Sequence, residues 1–167
     1  AALRDNKKNK IESWDLSRQG INAEVAKVLA EYVSGSGVLK SLDVRCNKIS
    51  GDAAQPLATA VLASPSLEIF GSVPLKELRA NTLDKLGLSG KDLGVSEALV
   101  LAKLVEGSGV LTELDLSRNG IDDAGAEALA SALRVNEVLK NIVLRGNSLG
   151  TEGWCAIFAA LRDNKEN

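Results

Sequence analysis

The sequence predicts an α/β fold: a right-handed βα superhelix with short parallel strands on a concave side and helices on a convex side. Three observations predict it. An apolar phrase recurs at a fixed spacing of 28 residues. Within the phrase, apolar residues alternate as they do on one face of a strand. After it, they recur at the helical period.

The phrase opens at Ile11, Leu39, Leu67, Leu83, Leu111 and Leu139, with every step 28 residues except the 16 between Leu67 and Leu83. Its clearest copies run Leu111, Leu114, Leu116, Asn119, Ile121 and Leu139, Ile142, Leu144, Asn147, Leu149. Leu39, Leu42, Val44, Asn47, Ile49 and Ile11, Trp14, Leu16, Gln19, Ile21 repeat it earlier. Residues two apart, such as Leu114 and Leu116, point to one face of an extended strand. The asparagine falls where the chain turns. Its amide both donates and accepts, so it can satisfy backbone groups of adjacent coils that would otherwise be buried unpaired. Gln19, Asn47, Asn119 and Asn147 are therefore expected to form a structural ladder. Lys91 occupies this place in the copy opened by Leu83. An ammonium only donates and is costly to bury, so Lys91 is expected to point to solvent while another group completes the backbone bonds.

The second part of each unit is helical. Ala126, Leu129, Ala132 and Leu133 share one face, as do Trp154, Ile157, Ala160 and Leu161. Asn22, Ser96, Asp122 and Thr151 are expected N-caps. Glu24, Glu97, Asp123 and Glu152 place negative charge in the first turn, where the helix dipole favours it. No unit can bury its own apolar face alone, so the units must stack. The expectation is a single domain over 1–167, about five repeats with a truncated unit at 67–82. In that unit Pro74 opens a short helical stretch ending near Asn81, with a local change of curvature.

These residues carry a resemblance. The strand phrase, the 28-residue period and the run Asp123-Ala-Gly-Ala-Glu-Ala-Leu-Ala-Ser-Ala-Leu133 are similar to the ribonuclease-inhibitor-like class of leucine-rich repeats. The wording of Gly153 to Leu161 also resembles long repeat arrays of unicellular algae. The class implies a protein-interaction scaffold without catalysis of its own. It also contains the Ran GTPase-activating protein, which leaves a GTPase-activating regulator as an alternative, and a structural subunit of a large complex as another.

Composition is consistent with a binding role. Histidine is absent, which removes the commonest general base and metal ligand. No phosphate-binding Gly-Lys-Ser/Thr loop and no paired Cys/His set appears, so no catalytic residue, cofactor or metal is expected. The formal net charge of −2 suggests neither nucleic acid nor an anionic membrane as partner. No apolar run reaches the ~20 residues of a membrane span, so membrane insertion is not expected. Cys46 and Cys155 are too few for a disulfide-stapled secreted domain and are read as small buried residues. The compartment expected is intracellular and cytoplasmic, with an organelle lumen as the alternative. Trp14 is read as core, and Trp154 as a staple between helices.

The strand face turned away from the core carries a defined set of polar groups. Asp15, Asp43, Arg45, Glu113, Asp115, Asn141 and Arg145 are the candidate partner-binding residues, and another protein is the expected partner. Residues 1–9 and 159–167 differ at one position, and methionine is absent. The expectation is a segment of a longer array, with further repeats or neighbouring subunits at both ends.

Overall fold

A computed structural model describes residues 10–165. The reading of residues 1–9 as a helix end lies outside them. Five strand–helix units are present among the described residues: β1 (Ser13–Asp15) with α1 (Ala23–Gly35), β2 (Ser41–Asp43) with α2 (Gly51–Ala63), β5 (Lys85–Gly87) with α4 (Val95–Glu106), β6 (Glu113–Asp115) with α5 (Asp123–Val135), and β7 (Asn141–Val143) with α6 (Thr151–Lys165). Between α2 and β5 lies an irregular unit of β3 (Ile69–Phe70), β4 (Val73–Pro74) and the five-residue helix α3 (Leu75–Arg79).

The strands pair in register across the repeat. Trp14 lies opposite Leu42, while Leu86, Leu114 and Ile142 form a second row. The strands do not form one continuous parallel row. One sheet runs β1-β2-β3-β4 and a separate one runs β5-β6-β7. The break has a local cause. Gly71, at φ +58°, lets the chain reverse after β3, so that β4 returns antiparallel to it. Pro74 then cannot donate a further ladder bond.

The helix row is more regular than the strand layer. Helix α1 packs on α2, α2 directly on α4, α4 on α5, and α5 on α6. One continuous apolar core lies between the two layers. Leu42, Leu57, Phe70, Leu101, Leu114 and Leu129 are all essentially buried in it, and Leu75 and Leu78 bring α3 into it. Arg79 ties α3 to α2. Its Nη2 donates to the carbonyls of Val61 (2.9 Å) and Leu62 (3.2 Å), and its Nη1 to that of Leu67 (2.7 Å). The first two carbonyls lie in the last turn of α2, where Val61 O otherwise receives only a long bond from Ser64 N (3.3 Å) and the dipole is negative.

Two of the expected caps hold. Asn22 Oδ1 accepts from Val25 N (3.0 Å), and Asp122 Oδ1 from Gly125 N (3.1 Å). The other two are corrected. Ser96 is buried inside the first turn of α4, whose cap is Gly94. Thr151 is already the first residue of α6. Asp123 of the preceding unit instead accepts from the amides of Gly150 (2.7 Å) and Gly153 (2.9 Å). A Cβ at position 153 would come within 2.5 Å of Asp123 Oδ1, so that close approach requires glycine.

Candidate functional site

The strands of the five strand–helix units, β1, β2, β5, β6 and β7, end in the same turn. Arg18, Cys46, Gly90, Arg118 and Gly146 all have positive φ, between 55° and 75°, and each precedes the ladder position. This left-handed residue swings the next side chain toward the neighbouring coil. Asn47 Oδ1 accepts from the amides of Gln19 (3.1 Å) and Ile21 (2.9 Å), and its Nδ2 donates to Leu16 O and Val44 O (both 2.8 Å). Asn119 repeats the pattern with the amides of Lys91 and Leu93 and the carbonyls of Leu88 and Leu116. Asn147 accepts from Ile121 N (3.2 Å) and donates to Leu116 O and Leu144 O. Among the described residues the Gln19 side chain bonds only within its own unit, its Nε2 donating to Ser17 O (3.1 Å). Lys91 is exposed, with Asn119 serving its amide.

The ladder holds the strand ends rigid, and the polar face projects from them. Asp15 Oδ1 accepts from Ser17 N, Asp43 Oδ1 from Arg45 N, and Asp115 Oδ1 from Ser117 N, at 2.9, 3.0 and 2.9 Å. Each aspartate therefore closes a short turn onto the residue two positions on. Bonding by the Ser17 hydroxyl and amide holds Asp15 below the usual carboxylate range, and Ser117 does the same for Asp115. Neither carboxylate forms an ion pair with a described residue. Both are ionised acceptors of fixed direction near neutral pH.

The remaining predicted residues divide. Asp43 and Arg45 are consumed by each other. Arg45 Nε and Nη2 grip both oxygens of Asp43, the shortest bond being 2.6 Å, and Asp43 is lowered chiefly by that side chain. Glu113 pairs across the strands with Lys85 at 2.7 Å. Asn141 and Arg145 are exposed at the β7 end. Lys85, Glu113, Asp115, Asn141 and Val143 surround a shallow hollow over Gly87, which has no side chain to fill it.

Other groups had no place in the sequence reading. Arg45 Nη1 also donates to Ser72 Oγ (2.6 Å) and Lys91 O (2.8 Å), so this side chain spans the gap between the sheets. A second polar column lies at the opposite corner of the coils. Asn136 Nδ2 donates to Val105 O (2.7 Å) and Ser108 O (3.0 Å), and Asn164 Nδ2 donates to Leu133 O and Asn136 O. Its sequence signal was present: Ser108, Asn136 and Asn164 recur every 28 residues. The cysteines are corrected. Both are exposed free thiols, because Cys46 sits in the left-handed turn and Cys155 on the outward face of α6. Trp14 is half-buried edge-on to Tyr32, with ring centres 5.1 Å apart. Trp154 is exposed and stacks on Phe158 of its own helix at 5.8 Å.

No helix among the described residues is long and apolar enough to cross a membrane. The family described as Leucine Rich repeat matches at residues 38–58 and 110–130. The "NACHT, LRR and PYD domains-containing protein 5" of Bos taurus is 30% identical over 157 residues, covering 86% of this chain and 14% of that protein. The "Capping protein, Arp2/3 and myosin-I linker protein 3" of Rattus norvegicus is 26% identical over 167 residues, covering 90% of this chain and 12% of that protein. The chain thus spans about one seventh or less of the length of these relatives. A tropomodulin C-terminal domain from Caenorhabditis elegans is similar in structure at a TM-score of 0.43 and 17% identity, covering 98% of this chain and 89% of that one.

Proposed function

This chain is a leucine-rich-repeat protein, and from that premise we propose that it is a protein-interaction scaffold without catalytic activity. In this reading residues 1–167 form one domain, a right-handed solenoid of ribonuclease-inhibitor-like repeats with its strand layer concave. The partner is another protein, and it docks on that layer.

One observation carries the reading. Asp15 and Asp115 are ionised, directed by serines two residues on, and unpaired with described residues. Rigid carboxylates of this kind favour charge-directed recognition of basic side chains, because little side-chain freedom is lost when they are engaged. Glu113, Asn141 and Arg145 would flank the contact, while Asp43 and Arg45 would stiffen the centre. An intracellular setting fits the two exposed free thiols. A linker between proteins, as the capping-protein relative's name describes it for capping protein, Arp2/3 and myosin-I, is a narrower form of the same proposal.

The test is affinity isolation of the tagged chain beside the double variant Asp15→Asn, Asp115→Asn. A stoichiometric protein partner held by the parent, weakened by salt and lost from the variant, is the expected result. Equal retention by both would contradict it. A GTPase-activating role would instead accelerate GTP hydrolysis by that partner, a rate that a scaffold leaves unchanged.

A further inference from the structure

The break between the sheets contains a group that no other unit has. Glu97 stands at the place taken by Ala53, Gly125 and Gly153 in other units. There is no room for a long side chain at those two glycines: a Cβ at 125 would come within 2.8 Å of Ile121 Cγ2 and 3.0 Å of Ala98 Cβ. Room exists at 97 because the irregular unit reverses at Gly71 instead of sending a full turn and helix past this point.

The carboxyl of Glu97 fills that space. Only 2% of the residue is exposed. Its Oε2 accepts from Gly94 N at 3.0 Å, while its buried Oε1 has no hydrogen-bond partner among the described residues. Gly71 packs against it, since a Cβ there would lie 3.3 Å from Oε1 and 3.1 Å from Arg45 Cδ. The joint is held by few polar ties. Arg45 reaches Ser72 on one side and Lys91 O on the other, and Arg18 meets Asp92 at 3.9 Å on the surface.

We propose that this joint is a proton-controlled hinge, closed when the Glu97 carboxyl is protonated and opened when it is ionised. A neutral carboxyl tolerates a dry site with one oxygen unserved. A carboxylate does not, and hydrating it requires the Gly71 turn to separate from the start of α4. The charges acting on it do not cancel that cost. Asp43 opposes ionisation and Arg45 favours it, but Arg45 already gives its donors to Asp43, Ser72 and Lys91 O. Asp92 acts on Arg45 and pairs with Arg18, and the only ionisable residue of α2 is Asp52. Burial is the largest influence on Glu97 and raises it. For a raised acid the closed form is favoured fully below the ordinary glutamate range. That advantage is lost as pH climbs through the raised value. The strand faces of the two sheets would then turn relative to each other.

The chain carries its own probes, because Cys46 and Cys155 lie on opposite sides of the joint and are its only cysteines. Spin labels on both should report a narrow distance distribution at pH 4–5 that shifts and broadens toward pH 8. Glu97→Gln, fixed in the neutral state, should remain narrow throughout. Asp52→Asn should behave as the parent. Hydrogen exchange on unlabelled protein gives a second readout. Protection of the Gly71 and Gly94 amides, which donate to Leu42 O and Glu97 Oε2, should, corrected for intrinsic rates, fall about tenfold for each unit by which Glu97 is raised. A parent distribution indifferent to pH, or a Gln variant that follows the parent, would overturn the hinge. If Glu97→Gln fails to fold, unchanged protection of these amides in the parent across the same range has that force.

Discussion

At the scale of the residue, equal letters in the repeat do unequal work. Asn119 is buried and serves five backbone groups, counting Ser117 O at 3.2 Å. Replacing it with alanine strands those groups in a dry turn, so Asn119→Ala should cost about 3 kcal/mol in urea unfolding. Gln19 is exposed and its side chain bonds only Ser17 O among the described residues, so Gln19→Ala should stay within about 0.5 kcal/mol. Equal losses at the two sites would contradict the ladder account. The ladder was legible because an amide recurred every 28 residues beside a buried phrase. The cysteines were not legible, because their exposure depends on a left-handed turn and on which face of α6 points outward. The sequence marks Glu97 only as a first-turn charge that the helix dipole favours, like Glu24 and Glu152. Its burial follows from a turn at Gly71 that lies in another unit.

At the scale of the element, the short helix α3 is a fastening. The sequence supports its existence, since Pro74 and a 16-residue step leave space for little else. The work of Arg79 was not legible, because the carbonyls of Val61 and Leu62 are presented to it only by the folded end of α2. Arg79→Ala should destabilise the chain by about 2–3 kcal/mol, the range for hydrogen bonds from a charged group. Arg79→Lys should recover less than half, since an ammonium cannot reach three carbonyls in the geometry of a planar fork. Guanidinium unfolding of the three proteins would measure this, and full rescue by lysine would contradict it. Helix boundaries show the same division. Asn22 and Asp122 cap their own helices and were readable locally, whereas α6 borrows Asp123 from the unit before it.

At the scale of the whole molecule, the regular features follow from stacking and the irregular ones from a single interruption. Five helices form one row, but the strand layer is divided where the chain turns back at Gly71. Periodicity predicted the row, and the 16-residue step marked where it would fail. Neither could show that α2 would close directly onto α4 and bury the Glu97 carboxyl beside Arg45. The division leaves Asp15 on one sheet and Asp115 on the other. If a partner contacts both, its affinity depends on the angle set at the joint.

The central claim is that the strand face is the binding face, and one comparison tests it most directly. Affinity for the isolated partner should be measured for Asp15→Asn with Asp115→Asn, and for the exposed helix-row pair Lys27→Gln with Glu127→Gln. Loss of roughly one charged contact at each strand site predicts at least ~10-fold weaker binding for the first pair, with no change for the second. Undiminished binding by the strand-face variant, together with weakened binding by the helix-row variant, would contradict the account.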